Sequence, residues 1–210
     1  MIAIVDYGMG NLRSVSKAFQ SQQFPAVVTR NPDDIFNASG LVLPGVGAFG
    51  DCVKNRSEYG LIDPILRFID SGKPFLGICL GLQVLFEESE EAPGVKGLGI
   101  IKGRVVKFPD FKEEGLKVPH MGWNQITIKK DVPILNGVPE NSWFYFVHSY
   151  YPSPEDASVS AVKTTYGFEF TAAVQKDNVF ASQFHPEKSS DLGLKMIQNF
   201  SALCGEKLRA

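Results

Sequence analysis

The sequence predicts an α/β fold: a mainly parallel central sheet flanked by helices, with additional antiparallel or mixed strands in the C-terminal half. Three observations lead there. Short, nearly continuous apolar runs alternate with helical spacings through the first half, the pattern of parallel strands buried on both faces. From about residue 100 the pattern becomes a series of strands with interspersed turn signals. A length of 210 residues with 44% apolar content suits one domain spanning 1–210.

"IAIVDY" is the first strand, and "NLRSVSKAFQSQ" follows with Leu12, Val15 and Phe19 at helical spacing. "PAVVTR" and "GLVLPG" are the second and third strands. "LIDPILRFIDSG" is a helix closing on Gly72, "PFLGIC" the fourth strand, and "LGLQVLFEES" the helix after it. Strands are expected next at "IIKGRVVKF", "NQITIKK", "SWFYFVHSYY", "SVSAVKTTY" and "FTAAVQ", with turns at Asn136-Gly137 and Lys176-Asp177-Asn178. "VFASQFHPEKSS" is a strand running into a loop. "DLGLKMIQNFSALCGEKL" is a closing helix with Asp191 as its N-cap.

A net charge of −2 and scattered Lys and Arg give no reason to expect nucleic acid or an anionic membrane as partner. The N-terminus lacks the positive region of a signal peptide, and no apolar run approaches the ~18 residues of a membrane helix. Cys52, Cys79 and Cys204 form neither a disulfide framework nor a CxxC pair. A reducing cytoplasmic location is expected, with no metal and no cofactor.

Chemistry enters at Gly77-Ile78-Cys79-Leu80-Gly81, which has the form of a nucleophile elbow. A sharp strand-to-helix turn crowds the residues two positions either side of its apex, and glycine at 77 and 81 relieves that. Helix N–H groups and the helix dipole would favour a Cys79 thiolate, and the Leu80 N–H could donate to an oxyanion. The plainer reading is a buried, inert cysteine. Of three histidines, His185 lies at the carboxyl end of a strand before Pro186, which favours extended backbone. Residues i and i+2 of an extended segment share a side, about 6–7 Å apart, so Glu187 can orient one ring nitrogen while the other faces Cys79. His148 is the rival base, though a histidine in an aromatic strand without an acid at i+2 reads more readily as structural. In "LPGVGAFGD", Gly45 and Gly47 let backbone approach a ligand, and the Val46 and Gly47 N–H groups are candidates for a second oxyanion donor. Read alone, the other reading of that loop is a tight turn with no role beyond connection.

"LPGVGAFG", "GICLGLQ" and "FHPE", in that order, resemble the class I (triad-type) glutamine amidotransferases over essentially the whole chain. "DYGMGNLRSV", "VPHMGWNQ", "YFVHSYY" and "QFHPEKSS" further resemble, within that class, the glutaminase subunits that serve imidazole glycerol phosphate formation in histidine biosynthesis. The resemblance implies that Cys79 attacks the side-chain amide of glutamine, with His185 as base then acid and Glu187 as its orienter. It implies an oxyanion held by the Leu80 N–H and, after a peptide flip, the Val46 N–H. Gly47, Gln83, Glu91, Ser149 and Tyr150 match positions around bound glutamine. The ammonia would pass to a separate cyclase subunit of (β/α)8 barrel type in a heterodimer, with Asn11, Met121, Trp123 and Lys188 at the contact. Read without the resemblance, Trp123 is as readily a core residue. Glutaminases of other synthases (anthranilate, aminodeoxychorismate, pyridoxal phosphate) and a stand-alone cysteine amidohydrolase are the alternatives.

Overall fold

A computed structural model describes residues 1–206 apart from 112 and 114. The parallel strands of the first half are β1 (Ile2–Val5), β2 (Ala26–Thr29), β3 (Gly40–Gly45) and β4 (Phe75–Cys79). The later strands are β5 (Phe86–Ser89), β6 (Ile101–Lys107), β7 (His120–Gln125), β8 (Thr127–Ile128), β9 (Trp143–His148), β10 (Tyr150–Pro154), β11 (Ser160–Tyr166), β12 (Phe168–Lys176) and β13 (Val179–Ser182). Eight of them form one sheet in the order β2-β1-β3-β4-β13-β12-β11-β8, parallel through β13 and antiparallel beyond it. A three-stranded sheet, β10-β6-β5, and a β7-β9 ribbon sit beside it.

β1, β3, β4 and β13 are buried along their whole length, which is why they read as unbroken apolar runs. Helix α1 (Leu12–Ser21) is capped by Asn11, whose Oδ1 accepts from the Ser14 N–H at 3.3 Å, and buries Val15, Ala18 and Phe19. Two helices stand where none was expected, α2 (Pro32–Asn37) and α3 (Phe49–Glu58). In α3 only Phe49, Cys52 and Arg56 are buried; the helical spacing is present but diluted by charged and polar neighbours. Helix α4 (Ile62–Asp70) buries Ile65, Phe68 and Ile69.

The segment after Cys79 corrects the expected long helix. Only α5 (Leu80–Gln83) is helical, and Phe86–Ser89 is strand β5, paired in parallel with β6. The buried ends and exposed middle of β5 suit an edge strand whose glutamates face solvent. Asn124 and Gln125 end β7, whereas Thr127 and Ile128 join the main sheet as β8, so "NQITIKK" is divided between two sheets. The closing helix α6 spans Ser190–Leu203 with Ser189, not Asp191, at its N-cap; Asp191 lies in its first turn. Residues 207 and 208 of the expected helix lie outside the described residues. Apolar side chains form two large clusters, and a third surrounds Phe108 and Phe111. Among the described residues no helix is long and apolar enough to cross a membrane.

Candidate active site

The strand order sets the site. β3, β4 and β13 are neighbours, with Gly45 opposite Cys79 and Ser182 opposite Ile78. Their carboxyl ends therefore bring together the glycine loop, Cys79 and the segment carrying His185, where ligands of open parallel sheets gather.

Cys79 ends β4 with φ 55° and ψ −106°, a strained conformation for a residue with a Cβ. A Cβ on Gly77 would stand 2.8 Å from the Gly81 carbonyl oxygen, and one on Gly81 would stand 1.8 Å from that of Leu43 in β3. The crowding thus comes from the elbow itself and from the neighbouring strand. Because α5 is a single turn, its dipole is weaker than that of the long helix expected after the elbow.

His185 has extended backbone, φ −104° and ψ 96°, and its Nδ1 lies 2.8 Å from Glu187 Oε1. Both side chains are 1% exposed. Nε2, the nitrogen left for Cys79, is buried without a well-formed hydrogen bond in this geometry. Burial pushes the imidazole down, but the negative charge and hydrogen-bonding pull of the adjacent Cys79 sulfur, joined by Glu187, outweigh it and hold His185 up to about 10. A His185 held up in this way beside Cys79 and Glu187 is suited to donating to a leaving amine.

A cavity of about 310 Å³ opens beside Cys79, lined by Val46, Gly47, Leu80, Gln83, Glu91, Pro119, Val147, His148, Ser149 and Tyr150. Gly45 ends β3 behind this wall, and Gly47 has a φ of 108°. Glu91 Oε2 accepts from the Phe49 N–H at 2.7 Å, so one of its oxygens caps α3. Gln83 Nε2 donates to the Tyr150 carbonyl and to Gln183 Oε1, each at 3.1 Å.

Two buried features escaped the sequence reading. Gln183 Nε2 lies 3.5 Å from Cys79 Sγ; it stands two residues before His185, so the alternation that points to Glu187 could have pointed to it as well. His148 forms a pair with His120, Nε2 to Nδ1 at 2.9 Å, while its own Nδ1 donates to the Tyr150 carbonyl at 2.8 Å. With both nitrogens occupied, His148 has no lone pair for Cys79. Burial lowers His148 to about 3 and His120 to about 4, so both rings are neutral.

Met121 and Trp123 project from β7 at 66% and 50% exposure. The Trp123 ring meets Tyr145 edge-on at 6.2 Å, and Lys188 Nζ stands 5.6 Å over the same tyrosine. Trp123, Tyr145 and Lys188 form one surface with an aromatic centre, with Met121 on the same face of β7, whereas Asn11 caps α1.

The family model "Glutamine amidotransferase class-I" matches residues 3–203. The chain is 58% identical over 203 residues to "Imidazole glycerol phosphate synthase subunit HisH" of Syntrophotalea carbinolica, covering 95% of this chain and 98% of that protein. It is 50% identical over 203 residues to the protein of the same name from Methanocaldococcus jannaschii, covering 97% and 100%. The fold matches a solved glutamine amidotransferase with a TM-score of 0.76 at 20% identity, covering 98% of this chain and all of the other. It also matches a chain of PurLQS from Thermotoga maritima with a TM-score of 0.73 at 18% identity, covering 96% and 97%. With whole-length identity at this level, the chain belongs to the class I glutamine amidotransferases, in the family of HisH subunits of imidazole glycerol phosphate synthase.

Proposed function

We propose that residues 1–210 form a single glutaminase domain that hydrolyses L-glutamine and supplies ammonia to the cyclase subunit of an imidazole glycerol phosphate synthase in cytoplasmic histidine biosynthesis. The observation that carries the chemistry is the His185–Glu187 contact of 2.8 Å beside a strained Cys79 at the mouth of one cavity. The relatives' shared name carries the pathway.

In this reading the Cys79 thiolate attacks the side-chain carbonyl carbon of glutamine, forming a C–S bond and a tetrahedral oxyanion. The Leu80 N–H and, once the Gly45-Val46-Gly47 backbone has turned, the Val46 or Gly47 N–H donate to that oxyanion. His185 passes its proton to the amine as the C–N bond breaks, releasing ammonia and leaving a γ-glutamyl thioester. Water then attacks while His185 takes its proton, and glutamate leaves as the thiolate is restored. Glu187 holds the ring in the required orientation throughout. The free oxygen of Glu91 suits the substrate ammonium, and Ser149, Tyr150 and backbone beside Gly45 and Gly47 suit its carboxylate. Gln83 contributes its carbonyl oxygen, since its amino group is engaged elsewhere.

The Met121–Trp123 surface with Lys188 beside it, together with Asn11 at the start of α1, is the proposed contact with a (β/α)8 barrel cyclase in a heterodimer; exposed aromatic and Met residues are common anchors. The test is glutamine hydrolysis by the purified chain, alone and with the cyclase plus its nucleotide ligand. Low activity alone, strong stimulation in the complex and loss of both in Cys79→Ala are expected. High unstimulated turnover, or indifference to the cyclase, would overturn the partner assignment, and an active Cys79→Ala would overturn the nucleophile.

A further inference from the structure

Besides His185, Cys79 has a second polar neighbour. Gln183 is fully buried, and its Nε2 lies 3.5 Å from Cys79 Sγ. The register that pairs Ser182 with Ile78 places the next residue after each strand's pair side by side. The Gln183 amide is oriented from its far end, because Oε1 accepts from Gln83 Nε2 at 3.1 Å. An N–H, not a carbonyl, therefore faces the sulfur. Gln83 is oriented in turn: the same Nε2 donates to the Tyr150 carbonyl, so both its hydrogens are committed. Donation runs one way, from Gln83 to Gln183 to sulfur.

An N–H aimed at sulfur favours the thiolate over the thiol, since only the anion is a strong acceptor. It also gives the sulfur a fixed polar neighbour in addition to His185. A nucleophile restrained in this way starts closer to the attack geometry.

We infer that Gln183 is a positioning residue that donates its side-chain amide to Cys79 Sγ, holds the thiolate in place, and through Gln83 determines which polar atom the cavity offers. This rests on Cys79 being the nucleophile. Gln183 does not line the cavity, so its effect is exerted through Cys79 and Gln83.

The test is alkylation of the full chain by iodoacetamide as a function of pH, with each cysteine followed by mass spectrometry. Gln183→Met keeps the volume and removes the donor. Gln183→Glu keeps an acceptor for Gln83 but repels a thiolate once ionised. The midpoint for Cys79 alkylation is expected to rise by about one pH unit in Gln183→Met, and at least as far in Gln183→Glu. In the cyclase complex, kcat for Gln183→Glu should fall about tenfold with KM nearly unchanged, the sign of an interaction outside ground-state binding. Wild-type midpoints in both variants would overturn the inference and leave the nucleophile reading standing. Failure of iodoacetamide to select Cys79 in the wild-type chain would instead sink the nucleophile reading. If neither variant folds, the wild-type chain decides: the Gln183 side-chain amide NMR signal must move with the Cys79 titration, and a stationary signal overturns the inference.

Discussion

The charge of His185 depends on two neighbours that differ in kind. Cys79 changes its bonding during the proposed reaction, whereas Glu187 keeps a 2.8 Å contact with Nδ1 and is buried with it. Removing that carboxylate charge takes away one of the groups holding His185 up to about 10. Glu187→Gln should therefore lower kcat by a factor on the order of 10⁴, the loss seen when an orienting acid is neutralised. It should also draw the alkaline limb of the pH–rate profile downward, because the imidazolium loses its proton sooner. A profile with an unmoved alkaline limb would mean that Glu187 does not act on His185. Cys52 and Cys204 have no such setting; burial raises both, Cys204 to about 12.

At the scale of elements, the elbow depends on how closely α5 and β3 approach. Gly81→Ala would drive a Cβ into the Leu43 carbonyl at 1.8 Å, a backbone atom fixed in the central sheet. The strain has no flexible side chain to absorb it, so a loss of roughly 3 kcal/mol or more is expected in urea unfolding. Gly50→Ala, within helix α3, is the control: its Cβ would meet the side chain of Ala92, outside that helix, at 3.3 Å, and alanine's better helix propensity should leave stability within about 1 kcal/mol of wild type. Equal stability of the two variants would show that the elbow tolerates a wider approach. These elements also mark how far the sequence could be read. β3 and β4 were legible because strands buried on both faces leave continuous apolar runs. β5 was not, since the run of Leu, Gln and Glu after the elbow suits one continuous helix, and only pairing with β6 makes Phe86–Ser89 a strand. β7 was hidden for the opposite reason: its large apolar residues, Met121 and Trp123, face outward. At the site, the i, i+2 rule of an extended segment disclosed Glu187 from His185. Gln83 and Glu91 have no such local signal, since polar residues after an elbow are ordinary, and their place at the cavity depends on the folding of distant strands.

Across the whole molecule, the β7–β9 ribbon joins the exposed Met121–Trp123 face to the cavity wall through a buried polar core. His120 Nε2 accepts from Asn124 Nδ2 at 3.2 Å, His120 Nδ1 donates to His148, and His148 donates to the Tyr150 carbonyl. His120 is also stacked between Phe146 and Tyr166, at centroid distances of 4.7 and 4.1 Å. Every nitrogen in this pair has a partner only while both rings are neutral; a proton on either would set two donors against each other. Both rings have folded values, about 4 and about 3, below an unfolded value near 6.5. The unfolded chain therefore binds more protons as pH falls, so the stabilisation is present above about 6.5 and is lost progressively toward pH 4. Discounted for relaxation around the two rings, the loss between pH 7 and pH 5 is on the order of 1–2 kcal/mol per ring. His185 works in the opposite sense: its folded value is raised to about 10, so its contribution is complete below about 6.5 and is lost as pH rises toward 10. Over the pH 7 to 5 interval it offsets less than one ring's loss. The urea midpoint should thus fall on acidification in a range where ordinary carboxylates barely titrate, and the His120 and His148 ring signals should stay neutral in the folded protein down to about pH 5. A flat urea midpoint, or either ring titrating near 6.5 in the folded state, would mean that the ribbon does not depend on a neutral pair.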